Sequence, residues 1–436
     1  MSERVVILGG GISGLAAGYQ LLRRDPEAEF FIFERSPHVG GLCRSVAGDG
    51  FTFDHTGHLL HLRTKQGRRF FLELLGDELT EHERNAWIYS KGAFTRYPFQ
   101  CHTYGLPADV VTECLVGFLR ARGEPAGEDE SFYDWINRQF GSGIARHFMI
   151  PYNQKLWKTH PRDMTTEWLD RFIPRPSLEE VIRGAVSNDP TTLGYNATFF
   201  YPRSGGIAIL PRTLARALSG RIELEKQASA VRCRSREVEF ADGSRVGYDR
   251  LISTIPLPEL VEMIEDVPKN LLAAARELRW VSVLNINFGI ARPHLSDRHW
   301  IYVPEDRFSF YRVGFPGSFS SSMAPEGTSS IYTEISYLPD DPPDEGAAVH
   351  KAREDLVAMG ILRPDDQILT TVVLRLPYAY VVFDRRRRPA VEAIRRFTSG
   401  HSIDLLGRFG AWTYASMEDC SNDAERLVER LFSPAG

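Results

Sequence analysis

The chain has 436 residues, 43% of them hydrophobic, a formal charge of −5 and an isoelectric point near 6.2. That length calls for two or more domains, because single cores stop growing beyond ~250–300 residues. The charge excludes a basic field for nucleic acid, no apolar run approaches the ~18 residues of a membrane span, and five cysteines without CxxC or metal-ligand spacing indicate neither a disulfide framework nor a metal site. The longest cationic run, Arg385 to Arg388, reads as a solvated turn or a local anion contact. Cysteine usage fits a reducing cytosol. The first strand starts too close to Met1 to leave room for a signal peptide, so a cytoplasmic location is expected.

In chain order, Val5-Val6-Ile7-Leu8 reads as a strand running into Gly9-Gly10-Gly11-Ile12-Ser13-Gly14. Gly9, Gly11 and Gly14 have the GxGxxG spacing: a tight turn, close backbone approach to a pyrophosphate, and close packing of helix on strand. The helix that follows offers its N-terminal amides and dipole to phosphate. Phe30 to Phe33 reads as the second strand, and Glu34, twenty residues after Gly14, is placed to accept both hydroxyls of a ribose and to repel a 2′-phosphate. Strand, turn, helix and acid together mark a dinucleotide site, without choosing between NAD and FAD.

From about Leu106 to Ser187 the apolar period becomes helical, over Val110 to Leu119, Phe132 to Phe140 and Leu178 to Val186. This predicts an inserted helical lobe. A helix is expected from Gly206 to Leu218, then short strands around Ile222 to Leu224, Ala230 to Cys233 and Val238 to Phe240, with a turn at Asp242-Gly243. Tyr248 to Pro256 reads as a buried strand that returns the chain to the cofactor sheet. Alternation from Val281 to Leu376, as in Ser282 to Phe288 and Ser330 to Ile335, predicts a mostly antiparallel sheet. Pro339 to Pro343 reads as an exposed loop, and Asp423 to Leu431 as a C-terminal helix. The expected class is α/β: a discontinuous, Rossmann-like cofactor domain over 1–95, 190–275 and 390–436, a helical lobe over 96–189, and an antiparallel-sheet substrate domain over 276–389.

Four clusters could read a substrate: Arg96-Tyr97-Pro98-Phe99-Gln100; Phe148 with Asn153 and Trp157, followed by Trp168 and Arg171; Tyr302 with Phe310-Tyr311-Arg312; and Tyr380 with Arg408 and Tyr414. Aromatic faces, amides and fixed cations together suit a nucleotide diphosphate. Each has an ordinary alternative. Trp157 and Phe148 could be core, Arg171 and Arg312 could be surface ion pairs, and His58 could be a satisfied loop histidine.

The stretch Glu34-Arg35 through Gly40-Gly41-Leu42 to Ser45 resembles the ER…GG…S segment of the FAD-dependent amine oxidase class, which implies FAD, with Arg35, Gly41 and Leu42 close to it. Gly57-His58, Tyr97-Pro98-Phe99-Gln100, Pro151-Tyr152-Asn153 with Trp157, Asn196-Ala197-Thr198-Phe199, Phe310-Tyr311-Arg312 and Gly407-Arg408-Phe409-Gly410 follow one another over nearly the whole chain. In that order they resemble the UDP-galactopyranose mutases, the deep-branching and eukaryotic-type members most. The resemblance implies that Tyr97, Gln100, Phe148, Asn153 and Trp157 hold the uridine end. Arg171 and Arg312 would clamp the diphosphate, with hydroxyls from Tyr302, Tyr380 and Tyr414, and Asn196 would meet the sugar. His58, Arg408 and Met417 would lie by the flavin, making His58, Arg171 and Arg312 the catalytic set.

It further implies reduced flavin (FADH−), with NAD(P)H a candidate reductant, attack of flavin N5 on the anomeric carbon, and no net redox change. The implied partner is a nucleotide sugar, with UDP-galactopyranose and UDP-galactofuranose first in line. The stretch Ala415 to Cys420 departs from the family: Glu418 stands where an asparagine is expected, and a carboxylate there is expected to alter the sugar accepted. The opening Gly-Gly-Gly-Ile-Ser-Gly is closer to protoporphyrinogen and amine oxidases, which keeps a flavin oxidase or desaturase as the alternative activity. A non-catalytic flavin-binding protein is the third reading.

Overall fold

The computed structural model describes residues 3–123, 125, 127, 129–169, 172–188 and 197–432. Two sheets organise it. A five-stranded, all-parallel sheet has the order Ile403–Leu405, Arg250–Ser253, Val5–Leu8, Phe30–Phe33, Ile222–Glu223. Its middle strands are apolar throughout because both faces are covered, and Val6, Ile7, Phe30 and Ile32 are fully buried. Each such side chain contributes about 1.5–3 kcal/mol relative to exposure. The helix Ile12–Arg24 lies on this sheet beside the C-terminal helix Met417–Phe432, which starts six residues before the position expected from sequence.

The second sheet has seven strands in the order Ile368–Val381, Trp280–Ile290, Ser329–Tyr337, Arg312–Gly314, Trp300–Tyr302, Ala86–Ser90, Ala93–Arg96. Every pairing is antiparallel except Trp300–Tyr302 against Ala86–Ser90. The last two strands differ from the expected division, since residues 86–95 fell in the cofactor segment and instead edge the substrate sheet. Alternation marks a strand but carries no information about its partner.

The helical lobe is built on Ala108–Ala121, Phe132–Ile144, Ile150–Trp157 and Leu178–Val186. The first two helices touch backbone to backbone: at Gly141 (φ 74°) an added Cβ would stand 2.1 Å from the carbonyl oxygen of Gly117. Only glycine permits both that approach and that φ. A π-helical turn, Ala145–Met149, joins the second helix to Ile150–Trp157 and brings Phe148, Asn153 and Trp157 to the space between lobe and sheets. Ser177 caps Leu178–Val186, accepting from the Glu180 amide while the Glu180 carboxylate accepts from the Ser177 amide. All five cysteines are free thiols. Among the described residues, no helix is long and apolar enough to cross a membrane, and no His, Cys, Asp and Glu group could hold a metal ion.

Candidate active site

A cleft of about 940 Å³ runs from the C-terminal ends of the parallel strands to the face of the seven-stranded sheet. At its first end the helix Ile12–Arg24 begins on Gly11 with no side-chain cap and no acid in its first turn, so its opening amides and dipole face the cleft. Backbone approach here is tight. A Cβ on Gly9 (φ 102°) would stand 2.3 Å from Thr254 Oγ1, and one on Gly14 would stand 2.0 Å from the carbonyl oxygen of Gly9. Gly14 does not line the cleft; it seats the helix on the strand.

Glu34 closes this end. Its carboxylate accepts from the amides of Gly10 (2.7 Å) and Ser36 (2.8 Å), each oxygen keeping lone-pair capacity for a hydroxyl. Gly40 donates to Gly10 O at 2.8 Å, which docks the Gly40-Gly41 turn on the opening turn. Arg35, Gly41 and Leu42 line the cleft beside them. Arg44 enters as well: its terminal nitrogen is held by Ser36 Oγ at 2.9 Å, while its buried Nε has no partner. Burial pushes the Cys43 thiol up to about 12, so it supplies no thiolate here.

The other end is organised by one row of the seven-stranded sheet. Tyr302 pairs with Arg312, Arg312 with Glu334, and Glu334 with Asn285, so their side chains share a face. Glu334 is fully buried and sequence reading missed it. It accepts from Arg312 Nη2 at 2.7 Å on both oxygens, from the Gly57 amide at 3.1 Å, and from the Tyr311 hydroxyl. Burial opposes the charge on Arg312, but Glu334 together with the surrounding Tyr380, Tyr332 and Tyr311 outweighs it and holds the guanidinium pKa well above its ordinary value. Arg312 Nε is buried without a partner and belongs to a residue that lines the cleft. A lone glutamate in an alternating strand gives no sign of this role; the arginine on the neighbouring strand would have been the clue.

Arg408 reaches the same region from the C-terminal segment. It donates to Ala415 O (2.9 Å) and Ala379 O (3.2 Å), with its guanidinium 5.7 Å from the Tyr380 ring and 5.4 Å from the Tyr414 ring. His58 lies on the cleft between Gly57 and Leu59; burial, then Arg408, pushes its pKa down to about 3, so it is neutral. Met417 lines the wall beside it.

The aromatic residues expected at the uridine end all reach the cleft, but several are already engaged. Phe148 stacks in parallel on Phe99 (5.0 Å) and on Tyr152 (5.2 Å), so its ring is covered by protein rather than open to a base. Asn153 donates to Met149 O at 2.7 Å and accepts from Trp157 Nε1 at 3.1 Å, which orients the tryptophan. Gln100 donates to Pro174 O at 2.8 Å, leaving Oε1 as its acceptor toward the cleft. Tyr97 lies against Tyr302 at 4.9 Å, with the Arg84 guanidinium 4.8 Å from its ring. Arg171 and Asn196, expected at the diphosphate and the sugar, lie outside the described residues.

Glu418 corrects a further expectation. It is fully buried, does not line the cleft, and accepts from the Arg63 amide (2.8 Å), Arg63 Nε (2.9 Å), the Thr64 amide (2.7 Å) and Thr64 Oγ1 (2.9 Å). It ties the Arg63-Thr64 turn to the C-terminal helix rather than meeting a sugar. Arg63, bound also to Asp419 at 2.9 Å, lines the cleft in its place.

The profile of the family described as flavin containing amine oxidoreductase matches residues 12–398. The chain belongs to this family. A crystal structure of reduced UDP-galactopyranose mutase is similar over 99% of this chain and 97% of its own, with 28% identity and a TM-score of 0.92. Human protoporphyrinogen oxidase is 25% identical over 326 residues, 68% of each chain, and coproporphyrinogen III oxidase of Bacillus subtilis is 22% identical over 334 residues, again 68% of each. The cofactor of this flavin oxidoreductase-type fold is FAD. The first end of the cleft fits it: uncapped amides and an unpaired Arg44 Nε are donors suited to phosphate oxygens, and the Glu34 carboxylate is an acceptor suited to ribose hydroxyls.

Proposed function

We propose that this protein is a mutase that uses reduced FAD to interconvert pyranose and furanose forms of a nucleotide sugar, with a UDP-linked galactose as the first substrate to try. One observation carries the reading: the end of the cleft beyond the cofactor residues is lined by Arg312, Arg408, Tyr302, Tyr380 and Tyr414. A diphosphate pairs with such groups by charge-assisted hydrogen bonds. An apolar ligand would leave buried donors such as Arg312 Nε unpaired, at about 1–3 kcal/mol for each. The full-length likeness to UDP-galactopyranose mutase supports the same choice.

The residues then divide the work by geometry. FAD would be held by the Gly9-Gly11 turn, Glu34, Arg35, Arg44 and the Gly41-Leu42 segment, and when reduced it supplies the nucleophile that lets a glycosidic C1–O bond break without net oxidation. As that bond breaks, negative charge gathers on the diphosphate. Arg312, pinned by Glu334 through Nη2, and Arg408, pinned by two carbonyls, are cations fixed in advance, so they stabilise that charge more than they stabilise the bound substrate. They also keep the leaving group in place for its return. Burial pushes Tyr414 up to about 12, so it remains a donor, and holds Tyr311 well above the ordinary phenol range, which keeps its one proton on the bond to Glu334. Neutral His58 can accept or donate one hydrogen bond without adding charge. Gln100 Oε1 is an acceptor suited to the imide N–H of a uracil ring.

A flavin oxidase acting on a porphyrinogen is the second reading, favoured by the 25% identity with human protoporphyrinogen oxidase. Anaerobic incubation of dithionite-reduced protein with UDP-galactofuranose, beside an oxidised control and followed by chromatography, separates the two. Formation of UDP-galactopyranose with reduced flavin only is the expected result. Absence of conversion together with a flavin spectrum perturbed by UDP rejects galactose and keeps the nucleotide-sugar site. Failure to bind UDP, with aerobic turnover of protoporphyrinogen, replaces the mutase by the oxidase.

A further inference from the structure

A second cavity, about 660 Å³, opens on the far side of Tyr97 and Arg84, which line both it and the cofactor cleft. Two arginines dominate its wall. Arg96 pairs across the sheet edge with Trp87, and its guanidinium carbon lies 4.9 Å from that indole; the guanidinium carbon of Arg298 lies 4.7 Å from the same ring and 4.3 Å from Phe94. The two cations are therefore within about 10 Å of one another on one aromatic side chain. Neither side chain makes a hydrogen bond or an ion pair with any described residue, and the Nε of each is buried without a partner.

The carboxylates of this cavity do not neutralise them. Glu83 is exposed, and Asp297 is exposed and bonded to His294 at 3.1 Å. Burial holds the Arg298 guanidinium below its ordinary pKa, outweighing the neighbouring Asp297 carboxylate, which raises it. By contrast, three other partly buried arginines have carboxylate partners: Arg138 with Glu130, Arg292 with Asp366, Arg312 with Glu334.

We propose that this cavity is a binding site for a small phosphorylated ligand, with Arg96 and Arg298 clamping the phosphoryl group. Planar guanidinium forks match phosphate oxygens two at a time, and the stacked indole holds both forks in position before the ligand arrives. The volume lies in the range of small-molecule sites and accommodates more than an inorganic ion. Free phosphate and a sugar phosphate share the recognised chemistry. The inference is independent of the mutase reading.

The test is calorimetric titration of FAD-loaded protein with pyrophosphate, in the presence of saturating UDP to fill the main cleft, in wild type, Arg96→Gln/Arg298→Gln and Arg312→Lys. Binding in wild type and in Arg312→Lys, weakened at least about tenfold in the double variant at unchanged FAD content, is the expected result. Equal affinity in wild type and double variant, or no binding in wild type, overturns the proposal. Should the double variant lose its flavin, phenylglyoxal labelling of wild type decides: pyrophosphate must slow modification of Arg96 and Arg298 severalfold, and unprotected labelling overturns the site. Repeating the titration with glucose 1-phosphate and inorganic phosphate identifies the occupant, tighter binding of the former meaning a sugar phosphate and equal binding meaning phosphate itself.

Discussion

The two ends of the cleft are built by different means. The cofactor end relies on main chain: glycines that admit close approach, uncapped amides at a helix start, and one carboxylate 20 residues from the last glycine of the turn. The opposite end relies on long side chains brought together from distant segments, from Tyr97 and Tyr152 to Arg312, Tyr380 and Arg408. A main-chain site is specified over a short stretch of sequence, whereas a side-chain site depends on the register of distant strands. The first should therefore be sensitive to an added methyl group, and the second to a lost partner.

The strongest way to break the contrast is to remove Glu334. Glu334→Ala leaves the Arg312 guanidinium a buried charge without its counter-ion, and a loss of about 3–5 kcal/mol of stability is expected, read as a lower midpoint in denaturant. An unchanged midpoint would mean that the ion pair does not organise this end. Arg312→Lys keeps the charge but not the fork; on the mutase reading it should retain FAD and lower kcat by about 10²–10³. Full turnover by this variant would take Arg312 out of the reacting end.

At the cofactor end, Gly14→Ala introduces a Cβ 2.0 Å from Gly9 O, and a stability loss of about 1–3 kcal/mol with reduced flavin occupancy is expected, measured by the ratio of flavin to protein absorbance. Retention of full flavin would show that the turn is more pliant than its packing. The smallest effect is on pH. Burial pushes His55, His61 and His299 down to about 4 and His58 to about 3, so between about pH 6.5 and 4 the unfolded chain takes up protons that the folded protein does not. Stability should fall as pH drops through that window. Asp54, raised by burial to about 6, acts with the opposite sign and offsets part of the loss. A melting temperature that rises from pH 6.5 to 4.5 would contradict the neutral histidines.

Legibility followed the same division. The opening strand, turn, helix and Glu34 were readable because their pattern lies in one continuous stretch, and the helices Leu178–Val186 and Phe132–Ile144 were readable because apolar side chains recur at the helical period. Tyr97, Gln100, Trp157, Tyr302, Arg312, Tyr380, Arg408 and Tyr414, singled out from the sequence, all line the cleft. Their working states were not readable. That Phe148 is stacked on protein and that Asn153 orients Trp157 depend on which rings and carbonyls the fold brings alongside.

The amino-acid sequence by itself determined the cofactor turn, the helices of the lobe and the alternating strands of the second sheet, because these follow from neighbours along the chain and from periodicity, whereas the helices Lys65–Leu75, Glu345–Ala358 and Arg387–Ser399 were not read from it. Tertiary structure alone decided the pairing of Arg312 with Glu334, the enclosure of Glu418 by Arg63 and Thr64, and the transfer of residues 86–95 to the substrate sheet. Each of these joins segments distant in sequence. Strand register and burial select such partners, and neither leaves a local signature.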